Sequence, residues 1–130
     1  MRVAVLVLEG AFDTGLATVL DTLDTANALA DRKSARFGVS VIGFAQRVRT
    51  SQGFVVKLRP AASAKRPDVV IVPALGAKTP ETILARIGRP DVASAGALLR
   101  KWRSGGARVA AACTGTFVLA ASGLLDGRRA

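Results

Sequence analysis

The chain opens on a continuous apolar run, Val3 to Leu8, the pattern of a strand buried on both faces. A loop, Glu9 to Gly15, follows. Leu16, Val19, Leu20, Leu23, Ala26, Asn27 and Ala30 then recur at three- and four-residue steps. They predict one face of a helix from about Leu16 to Asp31, with Asp13 or Thr14 as its N-cap. Phe37 to Phe44 predicts a second strand, and Val48–Thr50 with Phe54–Leu58 around Ser51-Gln52-Gly53 predicts a hairpin. Val69 to Pro73 is another continuous apolar strand, followed by the loop Ala74-Leu75-Gly76. Thr79 caps a short helix opened by Pro80. Asp91 caps the next, whose apolar face is Val92, Ala95, Leu98, Leu99 and Trp102, and Ser104-Gly105-Gly106 ends it. A short buried strand, Val109 to Ala112, then meets a turn at Cys113 and a helix to about Ser122, with a turn at Leu124–Gly127. Apolar strands alternating with helices predict a parallel α/β sheet wrapped on both faces.

Composition narrows the class. The chain has 130 residues, half of them apolar, which suits one domain with a real core. Glu9 interrupts the opening apolar run too early for a signal peptide, and no run reaches the roughly 18 residues of a membrane helix. A single cysteine excludes an internal disulfide and fits a reducing cytoplasm. Histidine is absent, which excludes a Cys-His dyad within these residues and leaves no basis for a zinc site; no metal and no cofactor are expected. No Gly-rich phosphate loop or dinucleotide fingerprint follows the first strand.

Charge is uneven. Residues 1–31 carry net −4 and residues 32–130 net +14. A surface for nucleic acid or an acidic ligand is one reading; solvated, scattered arginines are the other, favoured because the basic residues lie singly or in pairs without aromatic interleaving.

The chemistry is concentrated at Ala111-Ala112-Cys113-Thr114-Gly115. Small residues around a strand-to-helix turn are the composition of a nucleophile elbow. The helix N-terminus that follows favours a thiolate; the other reading, a small buried apolar residue as free cysteines usually are, is the less favoured of the two. Ligands of parallel sheets bind at the carboxyl ends of the strands, where Glu9–Gly15, Ala74–Gly76 and Cys113–Thr116 should meet. Glu9 could face that site or bind a nearby arginine. Trp102 reads as a helix anchor, in the core or at a dimer face, and Asp21 and Asp24 as a solvated helix face. Arg128-Arg129-Ala130 is not followed by a closing helix or strand, the expectation being an incomplete domain.

Val109 to Phe117, followed by Ala121-Ser122-Gly123-Leu124-Leu125-Asp126-Gly127-Arg128-Arg129-Ala130, resembles the PfpI-type branch of the class I glutamine amidotransferase-like superfamily, and within it the N-terminal domain of AraC/XylS-type transcriptional regulators. Glu9-Gly10, the Leu20-Asp21 helix and Val70-Ile71-Val72-Pro73 fall in the family's order, so the resemblance spans the chain. It implies a flavodoxin-like, doubly wound, mostly parallel sheet with helices on both faces, and a DNA-binding helix-turn-helix pair outside these residues.

Three departures from the family pattern bear on activity. The carboxylate that family enzymes place at the start of the first helix corresponds, by ungapped matching from Gly10, to Gly15, with Asp13 nearby. The family's Gly-Gly after the fourth strand is Ala74-Leu75, where the Leu75 and Gly76 N–H groups could form an oxyanion hole with Thr114 and Gly115. The family's Thr-Thr-His would begin past Ala130. Two functions follow. One is a non-catalytic, ligand-sensing and dimerising domain of an AraC-type regulator. Cys113 would line a pocket with Glu9, Asp13, Gly15, Leu75, Gly76, Thr114 and Gly115 for an unknown small-molecule effector. Its other partners would be a second copy of the chain and DNA only through a further domain, with no membrane. The alternative is a hydrolase, hydratase or glyoxalase-like enzyme using Cys113.

Overall fold

The computed structural model describes residues 1–31 and 36–129. Among the described residues seven strands and four α-helices follow one another in the order β1 (Arg2–Leu6), α1 (Asp13–Leu29), β2 (Gly38–Gly43), β3 (Arg47–Arg49), β4 (Val55–Lys57), β5 (Arg59–Pro60), β6 (Val69–Val72), α2 (Pro80–Ile87), α3 (Pro90–Ser104), β7 (Arg108–Ala111) and α4 (Thr116–Ala121). Five strands form one sheet in the order β5-β2-β1-β6-β7, and every pair in it is parallel. β3 and β4 form a separate antiparallel hairpin. The chain winds outward from β1 to β2, then returns across it to β6 and β7, so the topological switch lies between β1 and β6.

β1 explains why its run is continuously apolar. Ala4, Leu6 and Leu8 pack into a core under α3 and α4 that includes Val92, Ala95, Leu99 and Val118. Val5 and Val7 pack on the opposite face against Leu16, Val19, Leu20 and Leu23 of α1, with Val48 and Leu58 closing the layer. Trp102 lies in the α3 layer and is 4% exposed, so it is a core anchor. Asp21 and Asp24 are solvent-exposed, as expected. Asn27, on the inner side of α1, is explained by a tertiary bond pair: its side chain accepts from Phe37 N–H (2.7 Å) and donates to Phe37 C=O (2.8 Å).

Several expectations are corrected. α1 begins at Asp13, not Leu16, and its N-cap is Phe12, which makes no side-chain cap bond. The Asp13 carboxylate is drawn away by the hairpin turn, where Oδ2 accepts from Ser51 Oγ (2.8 Å) and Gln52 N–H (3.0 Å). Asp91 does not cap α3. Arg89 holds the N-cap position, while Asp91 accepts from Arg89 Nε and from Glu9 N–H, both at 3.2 Å. Thr79 caps α2 reciprocally with Thr82. β5, two residues long and containing Pro60, gave no periodic signal, and its place at the sheet edge tolerates the proline. β7 is not the buried strand its composition suggests: it forms the other edge, with Val109 and Ala111 turned to the α3–α4 core and Ala110 exposed, because α1 covers only the β1–β2 side of the opposite face. Arg128 and Arg129 lie in the exposed tail after the last turn, and Ala130 lies outside the described residues. Among the described residues no helix is long and apolar enough to cross a membrane.

Candidate functional site

Cys113 is the one non-glycine among the described residues with a left-handed backbone, at φ 51°. This is the sharp turn expected of an elbow, and it leaves the thiol exposed. A left-handed residue with a Cβ stores strain, so the surroundings must hold it. They do so through its neighbours. Ala112 N–H donates to Val72 C=O (2.9 Å) and Gly115 N–H to Ala112 C=O (2.9 Å). A Cβ on Gly115 would stand 2.5 Å from Val72 O and 2.6 Å from Pro73 O, so glycine alone lets the elbow sit this close to the end of β6. The elbow continues through one tight 3-10 turn, Cys113–Gly115, before α4. The N–H groups of Cys113 and Thr114 open that turn and have no acceptor within it.

The three loops do converge, but the crevice between them is zipped shut. Phe12 N–H donates to Ala74 C=O and Gly76 N–H to Gly10 C=O, both at 2.8 Å, and Ala11 and Leu75 form an antiparallel bridge. The Thr114 hydroxyl clamps the elbow to the same loop: it accepts from Leu75 N–H (2.9 Å) and donates to Leu75 C=O (2.8 Å). This corrects the expectation that Leu75 and Gly76 offer oxyanion donors, since both N–H groups are already spent on the protein.

Gly15 lies against Ala74. A Cβ there would stand 2.9 Å from the Ala74 Cβ and 3.4 Å from the Phe12 ring. The missing acid and the missing Gly-Gly are therefore one feature: the Ala74 methyl occupies the space that a side chain at position 15 needs.

Glu9 and Asp13 turn to the hairpin rather than to the thiol. Glu9 Oε2 accepts from Arg49 N–H (3.2 Å), and its main-chain carbonyl accepts from Arg86 Nη1 (3.1 Å). Glu9 binds arginine residues through the backbone of one and the guanidinium of the other. Arg86 gave no signal in the sequence, because only the fold carries α2 over Gly10. The Asp13 carboxyl is pushed up by burial, but the Thr50 and Ser51 hydroxyls and the Gln52 N–H outweigh this and hold it below the usual carboxylate range. Beside Glu9, a cavity of about 530 Å³ opens at the ends of β1 and β2, walled by Val7, Leu8, Phe44, Val48 and Pro90 with Arg89 and Asp91 at its rim.

A parallel α/β sheet that ends in an exposed cysteine on a left-handed strand-to-helix turn defines a flavodoxin-like domain of the elbow type. The model of the DJ-1/PfpI family matches residues 1–130, and the chain belongs to that family. It is 33% identical over 130 residues to an uncharacterized protein in the cpoL 5′ region of Streptomyces lividans, covering 99% of this chain and 84% of that protein. Its fold is similar to that of an AraC family transcriptional regulator from Pseudomonas putida (TM-score 0.75, 24% identity), covering 98% of this chain and 63% of that one. Drosophila melanogaster DJ-1beta has a TM-score of 0.66 at 26% identity over 94% of this chain and 60% of its own. The chain thus spans less than two thirds of these solved structures.

Proposed function

We propose that this chain is the ligand-sensing and dimerising domain of an AraC-type transcriptional regulator, with the elbow retained and catalysis lost. The observation that carries the reading is the closure of the elbow cleft. Ala74 fills the space of an acid at position 15, and the Leu75 and Gly76 N–H groups are committed to Thr114 and Gly10. A nucleophile without an activating partner or free oxyanion donors on this loop lacks the two groups acyl chemistry needs most. The shared fold of the Pseudomonas putida regulator supports the same reading. In this reading the effector meets Cys113 at the exposed side of the elbow rather than in the closed crevice, and DNA is read by a further domain. The reading frame past the Ala130 codon should run into two helix-turn-helix patterns; a stop codon there would refute the regulator. Sedimentation velocity should show a dimer, and a monomer at micromolar concentration would refute the dimerising role.

A second reading, a cysteine-dependent hydrolase, hydratase or glyoxalase-like enzyme, is favoured by one observation: Cys113 is both exposed and strained. Turnover of methylglyoxal or an activated ester that disappears in Cys113→Ser would establish it, and equal rates in both proteins would remove it.

A further inference from the structure

Between Asp31 and Asp68 the chain carries no acidic residue. The β3–β4 ribbon lies within that stretch. Val48 and Val56 point inward to the α1 layer, so the alternation of the strands sends Arg47, Arg49, Val55 and Lys57 to the outer face, where all four are exposed. Arg47 stands directly opposite Lys57 in the ladder. Like charges so placed weaken a two-stranded ribbon, and neither member of this pair is in an ion pair among the described residues. Arg59, separated from Lys57 by the buried Leu58, extends the row. None of these four cations is in an ion pair among the described residues. The carboxylate that borders them, Glu9, lines with Arg47 and Arg49 a cavity of about 450 Å³, and it spends Oε2 on a main-chain N–H.

We propose that the outer face of the β3–β4 ribbon binds the phosphate backbone of duplex nucleic acid. Side chains two apart on a strand are about 6.6 Å apart, and facing side chains about 5 Å. The ribbon therefore presents a two-row grid of cations on its outer face, with Glu9 at its border the one carboxylate beside them among the described residues. Three of the four are arginines, whose planar fork matches phosphate bidentately. A two-stranded ribbon also has the width that a major groove admits. The charge pattern favours nucleic acid over an anionic membrane. Insertion into lipid needs a broad apolar face, and here Val55 is the lone apolar residue on the outer face, with Phe54 alone at the turn. This inference does not rest on the regulator reading, because the contact belongs to the domain itself.

The test is fluorescence anisotropy of the 130-residue chain with a short duplex of random sequence over a KCl series. Each phosphate contact contributes about 0.9 to the log–log salt slope. Arg47→Ser/Arg49→Ser/Lys57→Ser should therefore lower the slope by about 2.7 relative to the unaltered chain. Lys101→Ser/Arg103→Ser/Arg128→Ser removes the same charge from exposed positions elsewhere and should leave it nearly unchanged. Arg47→Lys/Arg49→Lys should retain the slope, which separates charge loss from damage to the hairpin. Equal losses in the two triple variants would overturn the proposal. So would absence of salt-dependent binding, or ribbon-dependent binding to phosphatidylserine vesicles without binding to the duplex.

Discussion

The contact between Gly15 and Ala74 gives a quantitative test of how the elbow cleft is closed. Gly15 occupies the first turn of α1, where alanine is the better helix former by roughly 0.5–1 kcal/mol. Propensity alone therefore predicts that Gly15→Ala stabilises the protein. The structure predicts the opposite. The added methyl would stand 2.9 Å from the Ala74 Cβ. Ala74 is 1% exposed, and its carbonyl is held by Phe12 N–H, so it has little room to retreat. Overpacking of one methyl costs about 1–3 kcal/mol. The net expectation is a loss of roughly 0.5–2 kcal/mol. Ala74→Gly alone costs about 1–2 kcal/mol, from a lost methyl and added chain entropy. In the double variant the clash is gone, so its loss should fall short of the sum of the two by about 1–3 kcal/mol. Urea unfolding at constant m-value reads all four corners of the cycle. A raised midpoint for Gly15→Ala, or additivity within about 0.5 kcal/mol, would refute the shared-space argument.

Three further outcomes follow from the same geometry. Thr114→Val keeps the shape but strips Leu75 of a donor and an acceptor, so urea unfolding should show a loss of about 2–4 kcal/mol that Thr114→Ser largely restores. Cys113→Gly should gain about 1 kcal/mol by releasing the left-handed strain, and Cys113→Val should lose stability; a destabilised glycine variant would show that the thiol is structural rather than strained. Asp13, Asp68 and Glu81 are all held below their usual range, Asp68 by the Arg2 N–H and guanidinium and Glu81 by its own N–H and the Thr79 hydroxyl. Each depressed carboxyl contributes stability that is complete above its unfolded value near 4 and is lost as pH falls through the folded value, so unfolding midpoints should drop below about pH 4, less steeply in Asp13→Asn.

Local pattern determined the order and kind of nearly every element. Continuous apolar runs marked β1 and β6 because strands buried on both faces have no polar side to show, and Ser51-Gln52-Gly53 marked the hairpin because Gly53, at φ 88°, supplies its left-handed turn. The elbow was legible for the same local reason: only small residues fit around Cys113, and Gly115 has no room for a Cβ. The start of α1, the exposure of β7 and the destination of each polar group were decided by tertiary structure. Asp13 joined the helix because the hairpin turn supplied its hydrogen bonds, and Ala110 stayed exposed because α1 lies over β1 and β2 rather than β7. The Leu75 and Gly76 N–H groups belong to every sequence that could stand there. Only the approach of Thr114 and Gly10, brought close by the parallel pairing of β6 with β1 and β7, decides that they face protein instead of ligand.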